Sequence, residues 1–479
     1  MQNLQDGLIV VAKRDCPTCV LIEPVLAALT GGGEALNVYS QDDPGFPGSI
    51  DSVIDDRQLE ASYHLDIETV PTMLRLKDGQ EVGRVVGWER QEWREFTGMA
   101  ELGEGLPEFR PGCGSLSVGP GMAERLAVRF GDLNLTSRRV EIGAMEDEVE
   151  ALYERGWSDG LPLVPPTEER VVRMLAGTTR EADAVVGIVP PDLAECTVEK
   201  VAINAVMAGC KPEYMPVVIA AVEAALMEEF CMHGLLCTTM FSGPVVIVNG
   251  PVRNAIGMNS GMNALGQGNR ANATIGRALQ LVIRNVGGGR PGQIDRSALG
   301  NPGKYTFCFA EDEEGSCWES LAVERGFDVD TSTVTLFAGD GMQGVVDQKS
   351  REPESLARSF AECLRVVDHP KLAMAGDAVL VVSPEHERVF RDAGWSKARL
   401  KDELHTLLQL SGVDMVAGER GIAEGLPEKF RGATVPKFRP DGLHIVRAGG
   451  PAGMFSSIIA GWAASGEKGS IAVTKEVGT

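Results

Sequence analysis

Cys16 and Cys19 stand two residues apart just after an apolar run, Leu8 to Ala12, and Pro17 lies where a helix would begin. No other stretch restricts the local fold so tightly. The run reads as a buried strand that ends at the turn Lys13-Arg14-Asp15. Proline is favoured at the first helical position because the amide there has no intrahelical partner. Cys16 is therefore expected at a helix N-terminus, where free amides and the macrodipole favour a thiolate. Lys13 and Arg14 add positive charge nearby, so Cys16 reads as the attacking thiol. Cys19, one turn in and less exposed, reads as the resolving one.

Three further features join this pair. Val70-Pro71-Thr72 precedes a strand-like Met73 to Leu76, Lys77-Asp78-Gly79-Gln80 forms a turn to a strand over Glu81 to Val86, and Gly87-Trp88 precedes a helix over Arg90 to Ala100. With the two cysteines, these features resemble the thioredoxin superfamily over residues 7 to 100. The resemblance implies a thioredoxin-like fold in which Pro71 belongs to a cis-proline loop facing the cysteines and the substrate. Asp15 stands where thioredoxin itself has tryptophan, and Pro17 follows the first cysteine as it often does in glutaredoxins. An idle pair kept in a docking module is the alternative. A zinc site is disfavoured, because neither a second CxxC nor a paired histidine motif is present.

The whole chain has 479 residues, 43% of them hydrophobic, enough for at least two cores. Its formal net charge of -23 would repel nucleic acid and anionic membranes, so neither is an expected partner. The start, Met1 to Asp6, has no basic and apolar leader pattern, and the most apolar stretch, Met215 to Met227, is interrupted by Glu223. Ten cysteines are too sparse for a disulfide scaffold and suit a reducing, cytoplasmic compartment. A homo-oligomer is the expected assembly, and the sequence points to no metal or organic cofactor.

Residues 101 to 139 read as a Gly/Pro-rich linker between a domain at 1–100 and a larger one at 140–479. Within it, Gly112 and Gly114 flank Cys113. Two readings of Cys113 stand: a third redox thiol that exchanges with Cys16, or an ordinary linker cysteine.

Beyond residue 140, short apolar runs alternate with helical patterns, which predicts an α/β domain with a mostly parallel sheet, its size suiting two lobes. Strands are expected at 184–189, 244–249, 305–309, 333–338, 378–382 and 443–447, and helices at 198–208, 216–229, 273–286, 353–367, 386–393 and 397–410. No fixed-period repeat is visible.

Four stretches there look chemical. On a helix, Cys196, Lys200 and Asn204 would form one polar stripe on an otherwise apolar surface, so they either find buried partners or line a cavity. Lys200 would serve as general acid, anion anchor or imine-forming amine. The following loop gathers Cys210, Lys211, Glu213 and Tyr214, with Cys210 the candidate substrate-facing thiol. In the second stretch, Cys231, His233 and Cys237 match no common zinc spacing, and His233 is either an acid/base or a satisfied core histidine. In the third, Asn259, Asn263, Asn269, Arg270 and a helix start capped at Asn272 suit a carboxylate or phosphate, with Arg277 in reinforcement; the alternative is a loop satisfying its own backbone. Gly266 to Ala271 fits G-x-G-x-x-A but lacks the strand before it and the acidic residue after it, so a dinucleotide site is a poor reading. The fourth stretch, Arg447 to Phe455 with Gly450 and Gly453, reads as a strand-to-helix turn that either cradles an anion or simply turns the chain. Glu311 stands apart from its acidic neighbours because it ends a strand.

The expected function is a thiol-dependent enzyme. The CxxC module would recycle a cysteine of the large domain, which acts on a small anionic substrate between the Asn259 to Asn272 loop and the Cys196 to Tyr214 segment. An external thiol or thioredoxin is the expected reductant. The alternatives are a lyase or hydrolase using Lys200, His233 and Glu213, and a redox-regulated binding protein.

Overall fold

The computed structural model describes residues 6–466 and 469–478. The first five residues, read above for a leader, lie outside the described residues. The protein is of the α/β class and divides into two compact units, Met1–Leu133 and Asn134–Thr479.

In the first unit, strand β1 (Gly7–Ala12) is buried at every residue, which is why its sequence is a continuous apolar run rather than an alternating one. It leads through Lys13 to Cys16 into helix α1 (Pro17–Leu21). The sheet also contains β2 (Leu36–Ser40), β3 (Val53–Asp55), β5 (Thr72–Lys77) and β6 (Gln80–Val86), in the order β3-β2-β1-β5-β6. β1 is parallel to β2 and antiparallel to β5. Between β3 and β5 lies the short strand β4 (Thr69–Val70), and its Val70–Pro71 bond is cis. Helix α2 (Arg90–Thr97) follows β6 and buries Trp93 edge-to-face on Trp88.

Residues 101 to 133, expected as linker up to 139, belong to this first unit. Cys113–Gly114 is a strand, β7, antiparallel to β4, and Met122–Phe130 is a helix, α3. Side chains from elsewhere hold a segment too rich in glycine and proline to order itself. The Thr18 hydroxyl donates to Pro111 O at 2.7 Å, Lys13 Nζ to Gly114 O at 2.9 Å and Gln41 Nε2 to Ser115 Oγ at 2.6 Å. Gly112 is required by close approach, since a Cβ there would collide with Thr69 and sit 2.8 Å from Val70 O.

In the second unit a short helix, Glu148–Glu154, comes first, followed by helix α4 (Glu168–Leu175), a hairpin of β8 (Val185–Val189) and β9 (Ala194–Thr197), and helices α5 (Val198–Ala208) and α6 (Met215–Ala225). Its main sheet is mixed. Strand β10 (Gly243–Asn249) crosses over through helix α7 (Arg270–Asn285) to the parallel strand β11 (Cys308–Ala310), and β12 (Thr333–Val346) returns antiparallel to β10. After helix α8 (Pro353–Arg365) the same wiring recurs. Strand β13 (Ala378–Val382) crosses over through helices α9 (Pro384–Asp392) and α10 (Lys397–Leu407) to the parallel β14 (Leu443–Arg447), and β15 (Phe455–Gly461) returns antiparallel to β13. β12 and β15 pair antiparallel and join the two halves, and β16 (Val473–Glu476) adds to β12.

Strand alternation explains how both halves are buried. Val246, Val248, Val334 and Leu336 face outward onto α5–α7, and Leu380, Val382, Leu443 and Ile445 pack with α8–α10. The residues between them in sequence, including Val245, Ile247, Phe337, Val379, Val381 and Ile459, share one inner core. A βαββ repeat is thus present in structure without a repeat in sequence.

Two expectations change here. The sheet has two parallel pairings and four antiparallel ones, because each crossover pair is followed by a returning strand. The segment from Ser456, expected as helix, is β15. Short apolar runs do not distinguish a doubly covered strand from a buried helix.

Candidate functional site

In the first unit Cys16 is the N-cap of α1, its Sγ accepting the Cys19 amide at 3.3 Å. Its thiol donates to Val70 O at 3.5 Å when protonated. Hydrogen bonding from the Cys19 thiol, and then from the Cys113 thiol and the Cys19 and Thr18 amides, outweighs burial and lowers Cys16 from 9.0 to about 5. Burial, together with the neighbouring Cys16 sulfur, holds Cys19 far above the ordinary range. The same two causes raise Cys113. Cys16 is thus the thiolate and the other two sulfurs keep their protons at neutral pH. Lys13 and Arg14 contribute differently from expectation. Lys13 is tied to Gly114 O, and Arg14 pairs with Asp43 at 2.8 Å.

The second unit's candidates, Cys196 and Cys210, offer no comparable thiolate. Cys196 and Cys210 are buried, and burial pushes both up to about 12. The Cys210 thiol donates to Thr274 O at 3.4 Å, inside the packing of α5 on α7.

Helix α5 begins at Val198, so Cys196 belongs to β9 and leaves the expected stripe. Lys200 and Asn204 remain, and both line a cleft of about 700 Å³. Lys200 Nζ donates to Glu195 O, and Asn204 Nδ2 to Lys200 O at 2.8 Å. Lys211 and Glu213 are exposed on the turn after α5, Tyr214 is buried, and His233 is exposed on the short helix Met232–Cys237. His233 is therefore not a core histidine. No hydrogen bond or ion pair among the described residues joins Lys200, His233 and Glu213.

The asparagine-rich loop uses its amides internally. Asn259 Nδ2 donates to Met262 O at 2.9 Å, Asn263 Nδ2 to Gln267 O at 2.7 Å and Asn269 Nδ2 to Gly257 O at 2.8 Å. Asn272 donates to Asn259 O and Ala264 O, while Asn269 caps α7, one turn earlier than expected. Arg270 donates to Gly209 O at 2.9 Å and caps the C-terminus of α5. Arg277 clamps Asp159 at 2.8 Å through two nitrogens. In this arrangement these groups hold the protein's own chain.

Gly450 and Gly453 lie between two strands, so no helix N-terminus stands behind them. Their loop meets the asparagine loop, with the Gly449 amide donating to Ser260 O at 2.8 Å. Arg447 pairs with Asp312 and Glu387. Glu311 directly follows β11, where it accepts from Asn249 Nδ2 at 2.7 Å and the Leu321 amide at 2.8 Å. Burial raises its pKa although Lys397 lies 3.8 Å away.

Comparison with known protein families, curated proteins and solved structures finds no match.

The cleft beside Lys200 has walls that the sequence reading did not include. Leu135 to Ile142 cross it as a strap, and Glu199 fixes the strap by accepting the Thr136 amide at 2.9 Å and the Ser137 amide at 3.1 Å. Trp157, Asn285 and Arg290 come from other segments. The four-residue spacing of Lys200 and Asn204 was the only signal for this site in the sequence. Among the described residues no group of His, Cys, Asp or Glu could hold a metal ion, and no helix is long and apolar enough to cross a membrane.

Proposed function

We propose that the first unit is a thioredoxin-like thiol–disulfide exchange module with a third thiol, Cys113, built into its site. The observation that carries this reading is the placement of Cys113 on a strand paired with Val70, whose carbonyl accepts from the Cys16 thiol at 3.5 Å and which precedes the cis proline. The Cys16 thiolate attacks a disulfide sulfur and displaces one thiolate, forming a mixed disulfide. Cys19 then loses its proton and attacks the Cys16 sulfur, releasing the second thiolate. The two displaced groups take up protons, and the dithiol has given up two electrons.

Cys113 stabilises the thiolate and is the nearest alternative resolving thiol. It takes the place first assigned to a cysteine of the second unit, since Cys196 and Cys210 are buried and protonated at neutral pH. Reduced full-length protein mixed with a small aromatic disulfide should release thiol in a fast phase that Cys16→Ser abolishes. A fast phase that survives Cys16→Ser would sink the reading.

A further inference from the structure

The cleft of the second unit has a polar end and an apolar end. Helices α5 and α7 run antiparallel, with Arg270 reaching the last carbonyls of α5 and Asn285 bonding Asn204 at 3.0 Å. Lys200, Asn204, Asn285 and Arg290 therefore gather where α5 begins and α7 finishes. Ile203 and Met207 of α5 line the same cleft together with Trp157, Leu152 and Val171.

Charge at the polar end is unbalanced. Glu199 is engaged by the strap, and Glu168 pairs with Arg139 at 2.5 Å. Arg138, Lys200 and Arg290 make no ion pair among the described residues, against two lining carboxylates, Glu148 and Glu199, that meet no cation. Arg290 Nε and Asn285 Oδ1 are buried without a hydrogen-bond partner. Lys200 uses one of its three N–H donors on Glu195 O. Burial and the Arg290 guanidinium hold Arg284 below its ordinary value, as expected where cations crowd. This excess stands in a chain whose net charge is -23.

We propose that this cleft binds a small organic carboxylate, its anionic group held by Lys200 and Arg290 and its apolar body lying against Ile203, Met207 and Trp157. The volume suits such a ligand, since small-molecule sites occupy roughly 300–1,000 Å³ and combine apolar walls with few polar groups. A guanidinium offers two parallel N–H donors to a carboxylate, and the lysine adds a point charge. The cleft lies wholly within the second unit, so the inference is independent of the thiol reading.

Calorimetric titration of the full-length protein with octanoate and 4-phenylbutyrate, each against its primary amide, tests it. Saturable binding of at least one acid is expected, at least tenfold tighter than its amide. In the double variant Lys200→Met/Arg290→Gln the acid should weaken at least tenfold while the amide changes little. Ile203→Trp, which fills the apolar end and leaves the cations in place, should weaken both, with melting curves confirming that each variant is folded. No saturable binding, equal affinity for acid and amide, or unchanged acid affinity in the folded double variant overturns the proposal.

Discussion

Cys113 lies directly across from Val70 in a two-residue antiparallel ladder, and the Val70 carbonyl is the one to which the Cys16 thiol donates. The ladder places a glycine-flanked thiol beside the Cys16–Cys19 pair. If Cys16 loses its usual resolving partner, Cys113 is the next thiol within reach. In Cys19→Ser, mild oxidation should close a Cys16–Cys113 disulfide, seen as a linked peptide by mass spectrometry under non-reducing conditions. Absence of that peptide would remove Cys113 from the exchange scheme.

A thiolate titrating near pH 5 reacts with iodoacetamide far below the pH at which an ordinary thiol does. The alkylation rate of Cys16 should therefore reach half its plateau at about pH 5. The Cys19 thiol is the largest stabiliser of that thiolate, so Cys19→Ala should move the midpoint to about pH 6 or higher. A midpoint unchanged in Cys19→Ala would assign the effect to Cys113 and the helix amides instead.

Burial should decide which second-unit cysteines react. Cys237 and Cys317 are exposed, whereas Cys196, Cys210 and Cys308 are buried and raised to about 12 or beyond. Timed labelling of native protein at about pH 8 should modify the exposed pair first and leave the buried three until unfolding. Early labelling of Cys210 would reopen it as a substrate-facing thiol.

Asp340 is buried beside Ser242, and burial raises its pKa from 3.8 to about 6. Between those values the folded chain holds a proton that the unfolded chain has released. Its contribution therefore makes stability fall as pH rises from about 4 to about 6 and stay low above that. Asn in its place accepts the same Ser242 hydrogen bond without ionising. Asp340→Asn should stabilise the protein by about 1–3 kcal/mol at pH 7 and by little at pH 4. Urea unfolding at the two pH values measures this, and equal shifts at both would refute the ionisation account.

Asn272 joins the start of α7 to its preceding loop, accepting the Asn259 amide at 3.0 Å and donating to two carbonyls. Asn272→Ala leaves those buried backbone groups unpaired and should cost about 2–3 kcal/mol. A melting temperature within error of the parent would show that the loop holds without it.

Local patterns in the sequence determined most of the elements. The apolar run before Cys16, the proline at the first helical position and the alternation beyond residue 140 place β1, α1 and five of the main-sheet strands near where they occur. The four-residue spacing of Lys200 and Asn204 marked one wall of the cleft, because helical periodicity is local and survives without its partners. Tertiary structure decided what such patterns cannot encode. A strand covered on both faces has no alternation to show, so β15 looked helical. The antiparallel returns of β12 and β15 depend on pairing between segments far apart in sequence. The asparagines and Arg270 looked available for an anion until the chain brought carbonyls to them. Cys113 became part of a site only because Thr18, Lys13 and Gln41 hold a segment that could not order itself.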